Sequence, residues 1–167
     1  MKIILSSFLL FFVSTSSIAQ KTLDKLLNQY NTRSIPYISV EELKMKMTSG
    51  LVTVLDAREY EEFAVSHIPS AIFVGYNTFS SEEIKTSITN KNQPIVVYCS
   101  LGVRSEVIGE KLKKAGYTDV RNLYGGIFEW KNKDYVVLNL EGNESDDVHV
   151  CSKLWSKWLT NGNKVYN

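Results

Sequence analysis

The chain has 167 residues, with 19 Lys+Arg against 18 Asp+Glu and a formal net charge of +1. So even a balance excludes the basic footprint of a nucleic-acid binder and the polybasic patch of a membrane-surface protein. Two cysteines, Cys99 and Cys151, are too few for a disulfide framework, although a single bridge between them stays open in an oxidising compartment.

Residues 1–19 read as a cleavable signal peptide. Lys2 supplies a positive charge, Ile3 to Val13 form a short apolar run, and Ser17 and Ala19 stand where a signal peptidase cuts. The run is too short for a comfortable transmembrane helix. The mature chain is therefore expected to begin near Gln20, to be exported, and to reside in a periplasm with no membrane attachment.

From there the elements follow in order. Leu23, Leu26, Leu27 and Tyr30 recur at helical spacing and predict an N-terminal helix in a lead over 20–35. Ser39 and Glu42 make a capping box ahead of "ELKMKM", and Ser80 and Glu83 repeat it ahead of "EIKTSI". Between them, Leu51 to Ala57 read as a buried strand, Glu59 to Val65 as a short helix and Ala71 to Val74 as a second buried strand. "QPIVVYC" supplies the third strong strand. A helix is expected over Ser105 to Ala115, with Ile108, Leu112 and Ala115 on its apolar face, Glu106 and Glu110 on its polar face, and Gly116 ending it. "DVRNLYGG" gives a short strand and "IFEWKN" a short helix. Such alternation calls for an α/β fold with a central, mostly parallel sheet covered by helices on both faces. After Leu140 the acidic "EGNESDD" reads as a solvated loop. The tail over 141–167 is then expected to carry a helix with Leu154, Trp155, Trp158 and Leu159 on one side, packing on the domain or docking a protein partner. His149 and Cys151 are two ligand-type residues, short of the three or four a metal site needs, so no metal and no cofactor is expected.

The chemistry concentrates where "VVYC" stops. Ligands of open parallel sheets bind at the carboxyl ends of strands, and Cys99 stands at such an end. Gly102 lets successive N–H groups converge, the following helix adds its positive dipole end, and Arg104 adds a full charge. Together these favour a thiolate over a thiol, so Cys99 is read as a nucleophile in preference to a buried core thiol or half of a disulfide. Cysteine phosphatases use C-x5-R, whereas Cys99 and Arg104 are in C-x4-R spacing. One residue fewer narrows the cradle, disfavouring phosphate or arsenate chemistry and suiting a single transferred sulfur.

Cys99, Gly102, Arg104 and Ser105 resemble the C-x-x-G-x-R-S active-site loop of the rhodanese-like sulfurtransferases. The blocks "ISVEEL", "VLDAREYEEFAVSHIPSA" and "GYTDVRNLYGGIFEW" are similar to the family's others in the same order, over about residues 36–140. Ser66 and Ser70 stand where the family often has glycine. The resemblance implies a rhodanese-like fold with N- and C-terminal helical extensions and a persulfide carried on Cys99. The sulfur would come from a small anionic donor such as thiosulfate and pass to cyanide or a thiol. It further implies that backbone N–H groups of Ser100, Leu101, Gly102, Val103, Arg104 and Ser105 cradle the sulfur, that Arg104 helps bind the donor, and that His67 is structural, as is an Asp56–Arg58 ion pair. The alternative reading is a module that carries sulfur or binds a protein with little turnover.

Overall fold

The computed structural model describes residues 22–166. The expected signal peptide lies outside them. The chain divides into a short unit ending at Thr32 and a larger one from Arg33 onward. In the first, residues 22–30 form helix α1.

The larger unit runs β1 (Tyr37–Ile38), α2 (Val40–Thr48), β2 (Thr53–Asp56), α3 (Tyr60–Val65), β3 (Ile72–Phe73), α4 (Ser81–Ser87), β4 (Ile95–Tyr98), α5 (Arg104–Lys114), β5 (Val120–Leu123) and α6 (Gly126–Asn132). Local chemistry sets the ends of these helices. Ser39 Oγ accepts the Glu42 N–H at 3.1 Å and Ser80 Oγ the Glu83 N–H at 3.3 Å, each satisfying a donor the first turn leaves free. At the end of α5, Gly116 takes φ 97° while its N–H donates to Lys113 O and that of Tyr117 to Leu112 O, a Schellman arrangement that only a residue tolerating positive φ completes without strain.

The five strands pair in the order β1-β5-β4-β2-β3, all parallel. Parallel neighbours need crossovers, which the helices supply. On one face, Ile84 and Ile88 of the α4 region and Ile108 and Leu112 of α5 pack on Leu55, Ile95, Val97 and Val120. Val96 and Tyr98 alternate to the other face, and α2 and α6, which touch each other, bury Leu43, Phe128 and Trp130. Central strand β4 is buried along its whole length, so its carboxyl end delivers Cys99 into the middle of the sheet edge where loops meet.

Three expectations are corrected. The strand near Ala71 to Val74 is the sheet's edge, not a buried strand: β3 pairs with β2 alone and Ile72 is 46% exposed. Glu106 is buried rather than on the solvent face, with its Oε1 accepting the Ser34 N–H at 3.3 Å. The tail keeps the expected solvent exposure over 141–147 but holds no amphipathic helix. It forms β6 (Val137–Leu138) paired antiparallel with β7 (Glu144–Ser145), then β8 (Asp147–His149) paired in parallel with β9 (Asn163–Val165), with a single 3-10 turn over Ser156–Trp158. Val148, Val150 and Leu159 are fully buried while Leu154 is 65% exposed, so the tail residues at helical spacing do not share one buried side.

Candidate active site

Cys99 follows β4 directly and is 2% exposed. Its Sγ accepts the Gly102 N–H at 3.1 Å, and Ser105 Oγ stands 3.5 Å away. The loop between them bends back because Gly102 takes φ 113°. Asn122 on β5 pins that bend: its Nδ2 donates to Gly102 O at 2.8 Å and its Oδ1 accepts from Ser105 Oγ at 2.7 Å. From the other side, α6 begins against the loop, the Ile127 and Phe128 N–H groups donating to Cys99 O and Ser100 O at 2.9 and 3.2 Å. Only glycine fits at Gly126. It has φ 56°, and a Cβ there would lie 2.7 Å from the Ser100 carbonyl carbon and closer still to Cys99 O.

Burial pushes the Cys99 thiol up, but the Arg104 charge and the hydrogen bonds from Ser105 and Gly102 outweigh it, and the thiol titrates below its ordinary value. Arg104 is itself engaged. Its two terminal nitrogens meet Glu62 Oε2 and Oε1 at 2.6 and 2.7 Å, and Nη2 reaches Ser100 Oγ at 3.1 Å. Burial acts against the Glu62 carboxylate, but pairing with Arg104 prevails and holds it below the usual range; the same pairing raises Arg104 over its own desolvation.

A cavity of about 260 Å³ opens over the sulfur. Cys99, Ser100, Leu101, Val103 and Arg104 form its floor and one side, and Cys151 and Trp155 of the tail complete the lining. The loop residues expected from sequence thus converge, while Asp56, Arg58 and His67 lie elsewhere. Asp56 and Arg58 are fully buried, with Arg58 Nη2 on Asp56 Oδ2 at 2.7 Å and on Ser66 O at 2.6 Å. Tyr98 O–H donates to Asp56 Oδ2 at 2.5 Å and accepts the Ile68 N–H, so the cluster fixes the turn after α3 to the end of β4. His67 stacks on Phe63 at 4.1 Å and pairs its backbone with Leu138. Ser66, in place of the usual glycine, donates its hydroxyl to Asp147 O at 2.6 Å and ties this turn to β8, whereas Ser70 adopts the left-handed φ of 61° that glycine would take freely.

Sequence reading missed Glu62, Asn122 and Gly126, placed Trp155 in a stripe that packs on the domain or docks a partner, and weighed Cys151 as a disulfide half or a ligand-type residue but not as part of this cavity. Both thiols are free. Of these, only Gly126 carries a signal, in the Gly-Gly pair that breaks β5 from α6.

The Rhodanese-like domain family matches residues 39–133. The putative sulfur carrier protein YrkF of Bacillus subtilis is 35% identical over 104 residues, which are 62% of this chain and 55% of that protein. A tRNA uridine(34) hydroxylase of Leptospira interrogans is 33% identical over 100 residues, 58% of this chain but 27% of its own length. The chain therefore spans about half or less of these curated relatives. Among solved structures, a rhodanese-like domain from Anabaena sp. superposes with a TM-score of 0.56 at 23% identity, covering 63% of this chain and 80% of that one.

Proposed function

The chain belongs to the rhodanese-like family, and from that premise we propose that it is a sulfurtransferase taking a sulfane sulfur from a small anionic donor such as thiosulfate and passing it to a thiol or cyanide. The observation that carries the reading is the Cys99 sulfur itself, receiving the Gly102 N–H at 3.1 Å on the floor of a cavity that Arg104 also lines. The Cys99 thiolate attacks the outer sulfur of thiosulfate, the S–S bond breaks, and sulfite leaves with the bonding pair. A second nucleophile then collects the sulfur from the persulfide and restores the thiolate, giving ping-pong kinetics. The Arg104 charge and the hydrogen bonds of the loop favour the thiolate, the form that attacks.

Incubation with thiosulfate should give a one-sulfur mass increment that Cys99→Ser abolishes. An unmodified wild type rejects the donor. One observation favours the second reading, a sulfur carrier with little turnover: Glu62 neutralises Arg104 at two contacts, leaving less positive charge for an anionic donor. Steady turnover with thiosulfate and cyanide separates the two. The apolar run and cleavage pattern of residues 1–19 support export to a periplasm. N-terminal sequencing of the purified periplasmic protein, expected to begin near Gln20, tests that.

A further inference from the structure

Two thiols share one cavity. Cys99 lies buried on its floor and Cys151 exposed at its rim. The rim position is built. Cys151 follows β8, which β9 pairs in parallel and which Ser66 anchors through Asp147 O at 2.6 Å. The Cys151 N–H donates to His149 Nδ1 at 3.1 Å, and its backbone is held at φ 45°, a left-handed conformation that residues other than glycine seldom adopt. Ser100, the neighbour of Cys99, brings its Oγ to 4.0 Å from Cys151 Sγ. The Arg104 charge acts on both sulfurs.

Resting on the sulfurtransferase reading, we propose that Cys151 is the first acceptor of the sulfur carried by Cys99, so that the cavity houses a two-cysteine relay delivering sulfur from its floor to its rim. The Cys151 thiolate, its proton lost to solvent at the rim, attacks the outer sulfur of the Cys99 persulfide. A new S–S bond forms on Cys151, the bond to Cys99 Sγ breaks, and its electron pair stays on Cys99 as thiolate. The step is redox-neutral and consumes no co-reactant. Its direction follows from the two environments. Burial and the Glu62 charge raise the Cys151 thiol, while the loop lowers Cys99, so Cys99 is the better leaving group and the sulfur comes to rest on the more basic sulfur. A thiol on a bulky molecule, barred from the buried floor, can then collect sulfur at the rim.

The test is a time course on the full chain and its Cys99→Ser and Cys151→Ser variants with thiosulfate, alkylation to preserve persulfides, and peptide mass mapping. Persulfide is expected first on Cys99 and then on Cys151 in the wild type, on Cys99 alone in Cys151→Ser, and on neither site in Cys99→Ser. The relay is overturned if Cys151 stays unmodified while Cys99 carries sulfur, or if Cys151 loads as fast in Cys99→Ser. A Cys99–Cys151 disulfide with released sulfide, in place of a Cys151 persulfide, also overturns it. If thiosulfate loads nothing, the donor assignment fails and the relay is read with substoichiometric inorganic polysulfide. Cys151 loading that depends on Cys99 then supports it, and equal loading with and without Cys99 overturns it.

Discussion

Arg104 holds two jobs that substitution can pull apart. Arg104→Gln removes the charge that lowers Cys99 and at the same time strands Glu62, which is 3% exposed. Breaking a buried pair by losing one partner costs about 3–5 kcal/mol, and a surface pair about 0–1 kcal/mol. The Arg104 side chain keeps 23% of its surface, so the loss should fall between these, about 2–3 kcal/mol. For a chain of this size that is a fall in Tm of about 4–12 °C. Adding Glu62→Gln removes the stranded carboxylate, so the double variant should recover most of the Tm. It should not recover the thiol. The pH midpoint of iodoacetamide alkylation at Cys99 should move upward in both Arg104→Gln variants, with or without Glu62. Thermal melts and the alkylation pH profile of the four proteins make the assay. A midpoint unchanged by Arg104→Gln, or a double variant no more stable than the single, refutes the reasoning.

Three further outcomes are expected. Gly126→Ala should abolish one-sulfur loading from thiosulfate and lower Tm through both the clash with the Cys99–Ser100 backbone and about 1–3 kcal/mol of φ strain, whereas Gly142→Ala, with φ 79° but open space around it, should lower Tm modestly and load normally. Asp56→Asn leaves Arg58 buried without its counter-charge and should cost about 3–5 kcal/mol in denaturant melts, against no more than about 0.5 kcal/mol for Asp119→Asn in the half-exposed pair with Arg121. Because the folded Glu62 carboxylate titrates below its unfolded value, its contribution is present above that value and disappears as pH falls through the folded one. The Tm gap between wild type and Glu62→Gln should therefore narrow below about pH 4; a gap constant down to pH 3 would count against the pairing.

What could be read from the sequence was local. Ser39, Ser80 and Gly116 act within a few residues of themselves, and the apolar runs ending at Asp56 and Tyr98 become the two paired central strands. The nucleophile loop was legible for the same reason, since Cys99, Gly102, Arg104 and Ser105 lie in one short stretch. What escaped depends on distance along the chain. Nothing in "REYEEF" separates Glu62 from Glu61, yet only Glu62 faces Arg104, 42 positions on. The tail misled because Trp155 and Trp158 repeat at helical spacing, while the pairing of β8 with β9 claims the backbone on either side of them. The edge position of β3 is likewise a property of the sheet's order and not of "AIFV".

The Gly102 N–H that reaches the Cys99 sulfur is a main-chain group, and α6 grips the loop by main-chain groups too, through the Cys99 and Ser100 carbonyls. Leu101 and Val103, on either side of Gly102, line the cavity. Reactivity and selectivity thus reside in different atoms of the same few residues. A chain built this way could be retuned for another sulfur acceptor by exchanging two apolar side chains, leaving the sulfur's own chemistry untouched.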